Sequence, residues 1–198
     1  MSPKSKLLLS FLAVLAGLAL IASGIWAIKV RSPQVNQPFS TVSAEPIPVD
    51  PALAGTNELV IPDLGISAPI VSAPVSSDGA MSIPSDPVQV GLADNGSGLD
   101  AVSGTTVLAG HVNMAGQRGS LWDLGQVSAG TVAVTFDSAS NRTDWAVDSL
   151  STAPKSQVGE AVGSLDGDRR LVVLTCGGEV LNGEYPLNII VTAHLVAA

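Results

Sequence analysis

Leu171-Val172-Val173-Leu174-Thr175-Cys176-Gly177-Gly178 carries four branched aliphatic residues in succession to the only cysteine of the chain and then to two glycines. A short run of this kind reads as a β-strand buried on both faces. The paired glycines end it where the backbone must turn sharply or approach another group closely. The thiol is therefore expected at a strand end, on a rigid scaffold and close to the surface.

Gly104-Thr105-Thr106-Val107-Leu108-Ala109-Gly110-His111 has the same form, a buried-looking strand that ends in Gly-His. If the two strands are neighbours running the same way, His111 and Cys176 emerge on one rim. An ordinary thiol of pKa ~8.5 is only a few per cent thiolate at neutral pH, and a nearby imidazolium stabilises the anion. The same imidazole can then protonate a leaving amine. Spacing alone leaves the bland alternatives open, a core cysteine and a structural histidine. One cysteine and two histidines, His111 and His194, make no zinc pattern, and neither metal nor cofactor is expected.

Outward from these two strands the texture is mainly β. Glu58–Pro62 and Ala68–Val71 read as strands around an Asp63-Leu64-Gly65 turn, and Ala80–Pro84 reads as a further strand. Val88–Val90 precedes a polar loop. Ser120–Leu124 suggests one helical turn capped by Ser120. Thr131–Phe136 and Thr143–Val147 alternate across a polar turn and predict a hairpin, and Asn188–Ala193 reads as the closing strand. Such closely spaced strand signals predict a sandwich or barrel.

The N-terminal part is different. Residues 7–28 hold no charge and lie between Lys4 and Lys6 on one side and Lys29 and Arg31 on the other. At about 1.5 Å per residue, such a helix spans the ~30 Å hydrocarbon core of a bilayer. The stretch is longer than the apolar part of a cleaved leader and basic residues follow it directly, which favours a single-pass anchor with residues 1–6 cytoplasmic. Residues 29–56, with five prolines, read as an extended stalk, and residues 57–198 as the folded domain, expected on the extracellular side. The net charge is −8. Binding to nucleic acid, which needs a concentrated basic surface, is not expected.

The chain resembles the sortases, cysteine transpeptidases of Gram-positive bacterial surfaces, and within them the class F group of actinobacteria. The resemblance rests on Val60–Ile66, Met81–Pro84, Leu108–Asn113, Leu121–Leu124 and Leu174–Gly178, followed by Tyr185 and Asn188, in the family's order. It implies a closed sortase-type β barrel with few short helices. It implies Cys176 as nucleophile on the Thr-Gly carbonyl of an LPXTG-like sorting signal, and His111 as general acid and then base. An amine on a cell-wall precursor or a pilin-type protein would resolve the acyl enzyme. Substrate contacts are expected from Thr175, Asn113, Tyr185 and Asn188.

One position departs from the pattern. Where class F members commonly read Tyr-Arg-x-Asn, this chain reads Tyr185-Pro186-Leu187-Asn188. Proline has neither charge nor N–H to offer an oxyanion or a substrate backbone. Arg169 and Arg170 precede Cys176 by about 20 Å of strand at ~3.3 Å per residue, too far to substitute. Arg142 falls in the expected hairpin turn and is a poor substitute. Arg118, in the loop after His111, is the possible arginine substitute, against the plainer reading of a solvated loop charge. Two functions follow as alternatives: a transpeptidase of reduced activity, and a non-catalytic surface binding module that retains the groove. A different cysteine peptidase or an L,D-transpeptidase is disfavoured by the absence of a Ser-His-Gly-Cys sequence.

Overall fold

A computed structural model of the chain describes residues 55–180 and 183–196. The expected anchor and nearly all of the expected stalk lie outside the described residues. Among the described residues, no helix is long and apolar enough to cross a membrane.

Eight strands close a barrel: β1 (Glu58–Ile61), β2 (Ile66–Ala73), β3 (Val90–Ala93), β4 (Thr105–Gly110), β7 (Val132–Phe136), β8 (Arg142–Pro154), β9 (Arg170–Gly177) and β10 (Leu187–Leu195). Around the wall they run β1-β2-β3-β4-β9-β10-β8-β7, and β7 pairs with β1 to complete the circle. Two short strands outside the wall, β5 (Asn113–Met114) and β6 (Gln117–Arg118), form a hairpin just beyond β4. One five-residue helix, α1 (Val158–Val162), lies between β8 and β9.

Alternation along the strands sorts the apolar side chains into an inside and an outside. Leu59, Ile61, Val90, Leu108, Trp145, Leu171, Val173 and Val191 belong to the interior cluster. Val107, Ala109, Val172, Leu174 and Ile190 face outward, where Val162 of α1 covers them together with Val75 and Met81 from the β2–β3 connection. Each outward residue so buried removes apolar surface from water, worth roughly 25 cal/mol per Å².

The interior is tied by one cation. Arg169, just ahead of β9, is only 8% exposed. Its guanidinium lies 4.9 Å from the centre of the Trp145 ring and donates to Thr106 Oγ1 (2.6 Å), Gly98 O (2.9 Å) and Leu99 O (3.1 Å). Burial pulls its proton affinity below the ordinary arginine value, an effect opposed by Asp100. Arg170, at the start of β9, donates to Thr105 Oγ1 and to the carbonyls of Val162 and Ser164. Both arginines thus belong to the end of β9 opposite Cys176, as the residue count required.

Several local expectations change. Ala80–Pro84 is not a strand: Met81 makes a single bridge to Val75, and the segment lies over the outer face instead. Ser120 caps no helix. Its hydroxyl and N–H bond to the carbonyls of Gln89 and Pro87, and the helical turn there is a 3-10 segment at Leu124–Gln126 with no side-chain cap. Arg142 does not sit in the hairpin turn but opens β8, paired with Asp144 at 2.6 Å. β8 also runs on to Pro154, well past Val147, because its second half pairs with β10.

Replacing Arg169 with Ala strands the Gly98 and Leu99 carbonyls and the Thr106 hydroxyl and empties space beside Trp145. Arg169→Ala is expected to lower the free energy of unfolding by about 3 kcal/mol. Urea denaturation checks this, and a loss below about 0.5 kcal/mol would show that Arg169 is not a structural tie.

Candidate functional site

β4 and β9 are adjacent and parallel, in a register that pairs Thr105 with Arg170 and Ala109 with Leu174. Carried two residues further, that register sets His111 beside Cys176. The two strands stay together past the last ladder pair because Thr175 Oγ1 donates to Gly110 O at 2.9 Å, a buried bond. Val107, Ala109, Val172 and Leu174 face outward, so the alternation turns His111 and Cys176 to the same outer face at one rim. Cys176 is a free thiol, half-buried. Thr175, by contrast, is 3% exposed and its hydroxyl is engaged inside the wall.

The other neighbour of β9 is β10, antiparallel, and Asn188 is the residue directly opposite Cys176. Ile190 lies in the outer cluster and Val191 in the inner one, so Asn188 shares the outer face with the thiol. Cys176 therefore stands between a histidine from one neighbouring strand and an asparagine from the other.

The imidazole of His111 is held from the β2–β3 connection. Nε2 is 2.9 Å from Pro84 O. A carbonyl only accepts, so Nε2 carries the proton and donates, which leaves Nδ1 of the neutral ring available for proton transfer. No sign of this partner is present in the sequence, where Ala80–Pro84 reads as a strand.

Close approaches explain two of the glycines. A Cβ on Gly119 would come within 2.0 Å of His111 O, so the loop after β6 can lie against the His111 backbone only with glycine there. That loop then receives its own bonds: Leu121 N–H donates to His111 O and Gly119 N–H to Val112 O. On the other strand a Cβ on Gly177 would meet Ile189 Cγ1 at 2.5 Å. Gly177, which follows Cys176 in the sequence, and Gly119, which no sequence signal singles out, thus both serve tight packing around the site residues.

The remaining expected site residues divide. Asn113, in β5, donates from Nδ2 to Tyr185 Oη at 3.0 Å, a link between the segment after His111 and the segment after Cys176. Arg118, in β6, lies with its guanidinium 4.7 Å from the Trp122 ring centre. Both side chains line a cleft of about 230 Å³ whose far wall is Leu64–Ser67, at the start of β2. The cleft therefore lies between the β5–β6 hairpin with the loop after it and the start of β2. Pro186 is exposed and immediately precedes β10. His194, at the opposite end of β10, is bonded to Asp148 at 2.5 Å. Among the described residues no three His, Cys, Asp or Glu side chains gather as a metal site would require.

Comparison with known proteins bears on this arrangement. Residues 59–196 match the model of the sortase domain. The fold is similar to that of sortase C-1 from Actinomyces oris, with a TM-score of 0.58 and 18% identity over 71% of this chain and 73% of that one. It is similar to a sortase C2 of Group B Streptococcus, with a TM-score of 0.57 and 19% identity over the same shares. Sortase E1 from Streptomyces coelicolor gives a TM-score of 0.52 and 22% identity over 71% of this chain and 86% of that one. A search of curated proteins gave no match. With the domain match running from β1 to the end of β10, the chain belongs to the sortase family, whose members are cysteine transpeptidases.

Proposed function

We propose that this chain is a membrane-anchored sortase of the class F kind, which cleaves an LPXTG-type sorting signal at the outer cell surface and passes the acyl group to a cell-wall or pilin-type amine. The observation that supports it most is the shared rim of His111 and Cys176, which follows from the parallel β4–β9 register. The apolar residues 7–28 support the anchor. Sortase E1 of Streptomyces coelicolor, with a tripeptide in its active site, supports a peptide substrate.

In the proposed reaction His111 Nδ1 takes the Cys176 proton, and Sγ attacks the Thr-Gly carbonyl carbon. A C–S bond forms while the carbonyl π pair moves onto oxygen. The intermediate collapses as the amide C–N bond breaks, and the leaving nitrogen receives the proton from His111. The imidazolium formed in between keeps its Nε2–H on Pro84 O, which fixes the ring while Nδ1 exchanges the proton. An incoming amine then reverses the sequence and releases the transferred product. The Asn113–Tyr185 bond holds together the two segments between which the peptide would lie.

A second reading, a surface binding module without turnover, is motivated by Pro186, which offers neither charge nor N–H. Cys176→Ala separates the two, since a binding module keeps peptide affinity and cellular function and an enzyme loses function. For the transpeptidase, incubation with LPXTG-type peptides is expected to give a thioester adduct on Cys176 by mass spectrometry. His111→Ala should slow its formation about 10²- to 10⁴-fold. No adduct under conditions in which a related sortase reacts would sink the transpeptidase reading.

Gly119→Ala is expected to push His111 out of position, lowering the acylation rate by about tenfold or more together with the melting temperature. Rates within twofold of wild type would show that the loop yields without moving the imidazole.

A further inference from the structure

We propose that Asn188 is a catalytic residue: its side-chain amide donates the hydrogen bond that stabilises the oxyanion formed at an acyl group on Cys176. The inference rests on the reading of Cys176 as an acyl-accepting nucleophile and goes beyond it by assigning the donor.

The developing negative charge needs a donor within about 2.7–3.1 Å of the carbonyl oxygen. Three directions from Cys176 are defined by the sheet. Along β9, the preceding hydroxyl is Thr175, which faces the interior and already donates to Gly110 O. Toward β4 stands His111, whose Nε2–H is held by Pro84 O and whose Nδ1 is occupied with the proton in transit. Toward β10 stands Asn188, paired with Cys176 across the ladder and on the same face. Directly opposed residues of an antiparallel pair have Cβ atoms about 4.5–5.5 Å apart, so a side chain as short as asparagine reaches an oxygen bound to the carbon on Sγ. Among the described residues no side-chain hydrogen bond engages the Asn188 amide, and the residue is half-buried rather than fully solvated.

The four arginines among the described residues make other contacts. Arg142 is paired with Asp144, Arg169 and Arg170 hold the opposite end of β9, and Arg118 stacks on Trp122. An amide lacks the charge of a guanidinium, but it carries two N–H donors, and in a partly desolvated groove a neutral donor aimed in advance is effective.

The test compares two reagents for the same sulfur in the full-length protein, with Cys176→Ala as background. p-Nitrophenyl acetate acetylates Cys176 through an oxyanion: the C–S bond forms, the π pair moves to oxygen, and collapse expels p-nitrophenolate. Iodoacetamide alkylates the same thiolate by displacing iodide, with no oxyanion. Asn188→Leu, similar in size and without a donor, is expected to slow acetylation about 10²-fold while leaving alkylation within about twofold of wild type. Asn188→Gln, which keeps the amide, should recover part of the loss. A parallel fall in both reactions would overturn the proposal in favour of a packing role, and no change in either would overturn it outright. If the wild type shows no acetylation above the Cys176→Ala background, the nucleophile reading fails and the proposal with it. Wild-type acetylation that Asn188→Leu leaves intact removes only the assignment of the donor.

Discussion

The parallel pairing of β4 with β9 is the constraint on which the site depends. Antiparallel neighbours would send the ends of these two strands to opposite rims, separating His111 from Cys176 by the length of the barrel. A parallel pair brings equivalent ends together, and its cost is a long crossover, here the whole passage through β7, β8 and α1. The pair is fixed at both ends. Arg170 bonds to Thr105 Oγ1 where the strands begin, and Thr175 bonds to Gly110 O where they end. The second bond alone contributes about 1 kcal/mol net, but without it a buried carbonyl would lose its partner beside the site at a cost of about 1–3 kcal/mol. Register is thereby held where a slip would turn the thiol to the interior.

The barrel interior supports this arrangement from the side remote from the chemistry. Arg169 sits against Trp145 of β8 while bonding to Thr106 of β4 and to the loop before it, so one buried cation joins the two strands nearest the site to the far wall. A cation in such a place is tolerated because each of the named acceptors is already fixed there and the indole face adds attraction. On the outer face α1 and the β2–β3 connection cover the aliphatic residues of β4 and β9 and bring Pro84 to His111, while Arg170 is held at the end of β9 remote from the site.

What was readable in the sequence follows from the range of each interaction. The buried strands ending in Gly-His and Thr-Cys-Gly, the turn at Asp63–Gly65 and the hairpin of β7 with β8 are specified by neighbouring residues, and they stand where periodicity put them. The closure of the barrel was implied only by resemblance, because apolar alternation cannot tell which strand lies beside which. The strand expected at Ala80–Pro84 failed for a related reason: Met81 answers to the outer cluster rather than to a ladder, and Ile83 is exposed. Ser120 has the residue type of a helix cap, yet two carbonyls of the β2–β3 connection claim its polar groups first. The partner of His111 is a backbone carbonyl, which carries no signature of residue type, so no motif could have announced it.

Pro186 takes on a different meaning once Asn188 is seen opposite Cys176. As a substitution for a charged residue it is a loss, since proline cannot donate to substrate or oxyanion. As a backbone element two residues ahead of Asn188 it is a restraint, with φ fixed near −65° and no N–H to prolong the ladder. A Cβ built on Gly178 would lie 3.5 Å from Pro186 Cγ and 3.3 Å from Leu187 Cδ1, so the entry to β10 packs against the turn that leaves β9. The strand therefore enters its pairing with β9 at a defined point, and the first outward residue within it is Asn188. A short amide can stabilise a transient charge only if it is aimed in advance, because it has neither the reach nor the full charge of a guanidinium to compensate for a poor approach. If Asn188 is the proposed oxyanion donor, the proline that stands where the resembling class F pattern has an arginine also restrains the backbone that aims it, and the two features belong to one solution of the same electrostatic problem.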